Sequence, residues 1–197
     1  MGRARPRPGR GHGADRRLDA RLAPRRRGGR VLAQLGPAGG CRGRLGGLPR
    51  SRTAWCYGVP GAARALQLAG MALDRPDWRR FAVDALRSTL TLPDEGHGVQ
   101  DAGLCHGWAG LLHLTRLVAR DADDAELTGA ADRLAGQAVD LYDPQAAFGF
   151  RAATLHEQDW LDLPGFLEGS AGIALALHAY AADQPAASGW DAALLVR

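Results

Sequence analysis

Three copies of one short glycine signature constrain this chain more than anything else in it. Cys56-Tyr57-Gly58-Val59-Pro60-Gly61, Cys105-His106-Gly107-Trp108-Ala109-Gly110 and Leu167-Glu168-Gly169-Ser170-Ala171-Gly172 align on their glycines at offsets of 49 and 62 residues. Each copy runs on into a stretch rich in leucine and small residues: Ala62 to Leu73, Leu111 to Arg120 and Ile173 to Ala182. A repeat of this length marks stacked helical hairpins, in which each unit buries its apolar face only against its neighbours.

Amphipathic helices fill the intervals. Trp78, Phe81, Ala82, Ala85, Leu86 and Leu90 form a single stripe at helical spacing, with Pro76 in the first turn and Asp74 placed to cap it. Leu127, Ala131, Leu134, Ala138 and Leu141 repeat at spacings of four and three, and Asp123 or Asp124 precedes them as a cap. No strand-like alternation of any length occurs, although Phe148-Gly149-Phe150 reads as a short extended piece. Apolar inner helices therefore alternate with amphipathic outer ones. The fold class is all-α, an array of stacked α/α hairpins, either an open solenoid or a closed toroid.

The charge divides the chain in two. Residues 1–50 hold 14 Arg against Asp15 and Asp19, a net of +12; residues 51–197 hold 11 Arg against 19 acids, a net of −8. The basic segment has 12 Gly and no aromatic residue. It cannot bury enough apolar surface to offset its ordering entropy, so disorder is expected. The chain has no Lys, no Asn and one Ile, the mark of GC-rich coding, so its arginines are no sign of nucleic-acid recognition. An abrupt change of character at Ser51 favours reading residues 1–50 as out-of-frame sequence over a nucleic-acid-binding or lipid-binding tail. The organised part is 51–197. No run of 18 apolar residues is present, so no transmembrane segment is expected. Arg16-Arg17 and Arg25-Arg26-Arg27 precede only a short apolar stretch, Val31 to Leu35, too short for an export signal. The cytoplasm is the expected compartment.

Three cysteines, Cys41, Cys56 and Cys105, make an odd count that argues against a disulfide framework and for metal binding or a reactive thiol. Cys105 and His106 are adjacent, and on a regular helix neighbours point about 100° apart. At a turn before a helix both can face one ion, with Gly103 and Gly107 freeing the backbone to aim them. Cys56 holds the matching turn one repeat earlier. Stacking brings matching turns onto one rim, so Cys56, Cys105 and His106 become three zinc ligands with one coordination position open. Two thiolates already neutralise the ion, which makes it a mediocre Lewis acid for hydrolysis and a good host for a third thiolate. The chemistry that suits such a site is attack by a substrate thiolate on an electrophilic carbon. Without a partner of this kind, His113 and His178 read as helix residues of no assigned role, and His97 and His156 as loop residues.

The motifs Trp55-Cys56-Tyr57-Gly58-x-Pro60-Gly61, Cys105-His106-Gly107-x-Ala109-Gly110 and Gly165 to Leu175 resemble the C-terminal half of the lanthionine synthetase C-like proteins, the lanthipeptide cyclases. Ser188 to Leu195 resembles the closing segment of the stand-alone, class I members. The resemblance implies an α/α toroid around Zn2+, and addition of a peptide cysteine thiol across dehydroalanine or dehydrobutyrine to close a thioether ring. It assigns the metal to Cys56, Cys105 and His106, and places Tyr57 and Arg52 beside it as catalytic residues. From the residues alone, Tyr57 reads as a packing residue and Arg52 as a solvated charge. The implied partners are a dehydrated precursor peptide, a lanthipeptide dehydratase and an exporter. The family also uses an Asp and a His from earlier repeats, which find no counterpart before Ser51. The expectation is therefore an incomplete, C-terminal portion of the toroid that binds zinc and turns over poorly. Two alternatives remain within this reading: a non-catalytic zinc-binding peptide module, and an inactive gene fragment. A glycosidase-like toroid would need paired carboxylates, for which Glu168 and Asp101 near the aligned turns are weak candidates.

Overall fold

The computed structural model describes residues 53–153, 159–183, 186 and 188–197. The basic segment 1–50, Arg52 and His156 lie outside the described residues.

Five α-helices follow one another among the described residues: α1 (Val59–Ala72), α2 (Pro76–Leu90), α3 (Trp108–Ala122), α4 (Ala125–Val139) and α5 (Ser170–Ala181). Short 3-10 helices cover Asp94–His97 and Trp190–Leu194. The helices α1, α3 and α5 are those the glycine signature opens. They form the inner row, with α3 touching both α1 and α5, while α2 packs on α1 and α4 on α3. This is the expected alternation of inner and outer helices.

Burial follows the sequence pattern. In α2, Trp78, Ala82, Val83, Ala85, Leu86 and Thr89 are buried, and the opposite face is charged. In α4 the buried positions are Leu127, Ala130, Ala131, Leu134, Ala135 and Ala138. The central helix α3 is buried almost all round, from Trp108 to Ala119, because helices flank it on several sides. Three apolar clusters result. One lies under the signature turns and holds Leu104, Leu114, Leu117, Ile173, Leu194 and Val196, with Trp55 and Phe166 against it. The others sit between inner and outer helices, around Leu86 and Val118 and around Leu112 and Leu134.

Helix ends show a regularity that the sequence pattern did not announce. Asp74, Asp123 and Asp183, which follow the three inner helices, have φ of 48°, 52° and 46°. Aspartate tolerates the left-handed region better than most residues, so it ends an inner helix where glycine otherwise would. This corrects Asp74: it terminates α1 and does not cap α2, whose N-cap is Arg75, without a side-chain capping bond. Asp124 is the cap of α4 as expected, its Oδ1 accepting the Glu126 and Leu127 N–H groups at 3.1 Å. The Phe148–Phe150 segment is likewise not extended. Gly149, at φ 81°, makes it a turn, and the two-residue strands β1 (Ala152–Ala153) and β2 (Trp160–Leu161) pair antiparallel beyond it.

The C-terminal segment is locked into the stack. Leu194 and Val196 fill the first cluster, and the Val196 carbonyl accepts from Arg64 Nε at 2.7 Å. Arg64 is 2 % exposed, and it also donates to Gln67 Oε1 at 2.6 Å and Asp121 Oδ2 at 2.7 Å. A buried guanidinium is tolerated because each of these acceptors offsets part of its lost hydration.

Candidate metal and thiol site

The three signature turns share one backbone conformation. Their N-cap glycines have φ/ψ of −115°/174° at Gly58, −105°/−179° at Gly107 and −112°/179° at Gly169. These are extended values open to any residue, so conformational freedom is not why glycine is required. Space is. A Cβ on Gly107 would sit 2.1 Å from the Gly103 nitrogen, and one on Gly169 2.3 Å from the Gly165 nitrogen. Three residues into each helix the same restriction recurs. A Cβ on Gly61, Gly110 or Gly172 would lie 1.9, 1.9 or 1.8 Å from the carbonyl oxygen of Trp55, Leu104 or Phe166. The chain doubles back so tightly on each helix start that only hydrogen fits. For Gly107 this replaces the expectation that it serves by freeing backbone angles, whereas a Cβ on Gly103 would meet nothing closer than 3.2 Å.

Hydrogen bonds join the turns side by side. The Trp55 N–H donates to the Cys105 carbonyl at 3.1 Å, and the Cys105 N–H donates to the Leu167 carbonyl at 2.9 Å. Matching turns therefore do line up on one rim, and a sequence separation of 49 becomes contact: the Cys105 thiol donates to Cys56 Sγ at 3.3 Å. Leu167 and Glu168 occupy the corresponding places in the third turn, so it adds no sulfur. Cys56 is exposed and Cys105 half-buried. The Cys105 thiol is pushed up to about 12, first by burial, then by its bond to Cys56 and by the negative charge of Cys56, Glu168 and Asp101. His106 is half-buried, and its Nδ1 is a buried atom with no hydrogen-bond partner. Tyr57 is 56 % exposed next to Cys56, so it is no packing residue.

Asp101 supports this rim. It is 3 % exposed, with Oδ1 accepting from the Gly103 N–H at 2.9 Å and Oδ2 from the Ala153 N–H at 3.0 Å. Both oxygens accept from backbone N–H groups, so Asp101 braces this rim. Two histidines read as unpartnered turn out to be structural. His97 is 3 % exposed; its Nδ1 is 3.1 Å from Thr53 Oγ1 and its ring meets Trp108 edge-on, with burial holding its pKa below the usual histidine range. His113 Nε2 lies 3.2 Å from Asp191 Oδ2 and its ring stacks on Trp190; burial lowers its pKa to about 4 despite the carboxylate. A cavity of about 510 Å³ opens between α3, α4 and α5 beside Arg116, Arg120 and Tyr180, and none of the three expected ligands lines it.

A family model described as "Lanthionine synthetase C-like protein" matches residues 41–195. The chain belongs to that family. No curated protein matches it. Among solved structures, nisin cyclase is similar, with a TM-score of 0.56 at 25 % sequence identity over 74 % of this chain and 32 % of that one. The match thus spans about a third of nisin cyclase, and the helical arrangement described above is that of its toroid. The motif resemblance is confirmed at the level of family and fold. Among the described residues no helix is long and apolar enough to cross a membrane.

The family implies zinc, and the donor chemistry present fits it in part. Two thiols stand together, and an imidazole nitrogen with no other partner lies one residue beyond Cys105. As placed, however, no group of three or more His, Cys, Asp and Glu side chains among the described residues is gathered so that it could hold an ion. The sulfur pair is formed; His106 is not drawn in to it.

Proposed function

We propose that this lanthionine synthetase C-like chain is, or forms part of, a cytoplasmic zinc-dependent lanthipeptide cyclase. It would close thioether rings by adding a peptide cysteine thiolate to dehydroalanine or dehydrobutyrine. The observation that carries the reading is the Cys56–Cys105 sulfur pair at 3.3 Å, assembled from two matching turns of a fold shared with nisin cyclase.

Cys56 and Cys105 would hold the ion, with His106, whose Nδ1 has no competing partner, as the third ligand. Zinc bound there lowers the pKa of a coordinated thiol and leaves the sulfur nucleophilic. The chain's own residues provide the rest. The rim is open to solvent at Cys56, which gives a flexible peptide access to the metal position. The Tyr57 phenol projects from the same turn, where it can orient the peptide or the acceptor carbonyl. The lateral backbone bonds through Cys105 hold the donors at fixed spacing. Asp101, which accepts the Gly103 N–H, positions the second turn. The partners that follow are a dehydrated precursor peptide and the dehydratase and exporter that act before and after cyclisation. Arg52 is proposed by motif alone as a further residue at the site.

The test uses the full chain. Zinc content is measured by elemental analysis, and cobalt substitution reports thiolate ligation by its charge-transfer absorption. A dehydrated precursor peptide is then added, and its remaining thiols are counted by alkylation, since ring closure leaves the mass unchanged. One zinc per chain, lost in Cys105→Ala, and alkylatable thiols that disappear with time are the expected results. A chain that takes up no zinc refutes the metal site. Zinc uptake with all peptide thiols retained refutes the cyclase activity and leaves a peptide-binding module.

A further inference from the structure

The two sulfurs stand close enough to react with each other. Main chain keeps the two residues adjacent: the residue before Cys56 donates its N–H to the carbonyl of Cys105 at 3.1 Å. Cys56 is exposed, so a small reagent reaches it from solvent, and Cys105 stands half-buried behind it at 3.3 Å. A disulfide requires the sulfurs to approach to about 2.05 Å. That is a movement of little more than an ångström, within reach of side-chain rotation at a rim where one partner is open to solvent.

We infer that Cys56 and Cys105 form a reversible disulfide, and that the oxidised chain cannot hold zinc at this rim. The second clause rests on the metal reading above; the first does not. The oxidant is a low-molecular-weight disulfide such as oxidised glutathione. The Cys56 thiolate attacks one of its sulfurs, forming a mixed disulfide and releasing one small thiol. The Cys105 thiolate then attacks the Cys56 sulfur, and the second small thiol leaves. Two protein S–H bonds are replaced by one S–S bond. The two electrons reduce the reagent, and the two protons leave on the released thiols. A disulfide offers no thiolate to a metal, so oxidation and zinc compete for the same sulfurs.

The experiment takes the full chain, stripped of metal with a chelator, and incubates it with oxidised glutathione before alkylation and peptide mapping. Free thiols should fall from three to one. The cross-linked peptide should join Cys56 to Cys105, and dithiothreitol should restore all three. Cys41→Ser should cross-link as the parent does, and Cys105→Ser should stall with glutathione on Cys56. Zinc added beforehand should slow the loss of thiols at least tenfold. Retention of free Cys56 and Cys105, or a cross-link through Cys41, overturns the inference. If the disulfide forms and zinc neither binds nor protects, the metal reading fails and the dithiol site stands. If zinc binds but the stripped chain stays reduced, the dithiol site alone fails.

Discussion

Gly110→Ala puts one methyl group where the second turn has no room for it. The added carbon would start 1.9 Å from the Leu104 carbonyl oxygen and 2.7 Å from its carbon. Separating carbon and oxygen from 1.9 Å to 3.0 Å needs a displacement of about 1.1 Å. Leu104 cannot give way cheaply, because its side chain is fully buried and the next residue, Cys105, is hydrogen-bonded to the turns on both sides. Overpacking of this kind costs about 1–3 kcal/mol, and a lost lateral hydrogen bond adds about 1 kcal/mol. The better helix propensity of alanine returns up to about 1 kcal/mol. The net expectation is a loss of about 1–4 kcal/mol, or a fall in Tm of roughly 2–16 °C for a chain of this size. Gly129 and Gly136 in α4 supply the control, since a Cβ at either meets nothing within 4 Å. Gly129→Ala and Gly136→Ala should each gain about 0.5–1 kcal/mol. Urea unfolding of the three variants beside the parent reads the effect directly. Gly110→Ala unfolding at the parental midpoint, or all three variants shifting the same way, would refute the steric account.

Acid should destabilise the chain through His113. Its pKa is about 4 when folded against an ordinary 6.5, so between those values the unfolded chain binds a proton that the folded one refuses. Stability therefore falls as pH drops from about 6.5 to about 4, by up to about 3 kcal/mol at the acid end; His97, also lowered by burial, acts in the same direction. His113→Gln should flatten the dependence of the urea midpoint on pH, and an unchanged slope would remove His113 as its source. Arg64→Met strips the Val196 carbonyl, Gln67 and Asp121 of a buried donor. A loss of about 3–5 kcal/mol is expected, with faster chymotryptic cleavage at Trp190 or Leu194. A parental cleavage pattern would show that the tail is held by its apolar contacts alone.

The parts of this molecule that were legible in its sequence are those that repeat or follow a period. The glycine spacing located the three inner helices, and the apolar stripes located α2 and α4. Alignment of the turns predicted that Cys56 and Cys105 meet, which they do. What stayed hidden depends on partners far along the chain. Arg64 finds Val196, Asp101 finds Ala153, His113 finds Asp191 and His97 finds Thr53 across separations of 132, 52, 78 and 44 residues. No local pattern encodes such pairs, so these residues read as ordinary helix or loop positions. The glycines were found for the wrong reason: a sequence shows that Cβ is missing, but not whether angle or space demands it. Asp74 was misread because aspartate serves both as a helix cap and as a left-handed helix end, and only the backbone angle separates the two.

One residue, Cys105, bonds both neighbouring turns: its N–H donates to the Leu167 carbonyl and its own carbonyl accepts from the Trp55 N–H. The loop around Leu163 to Gly169 therefore acts as a remote adjusting screw for the gap between the thiols. Exchanges there can widen or narrow that gap without altering a single donor atom. A substitution in that loop therefore reaches the Cys56–Cys105 pair through main chain, with both sulfurs left in place.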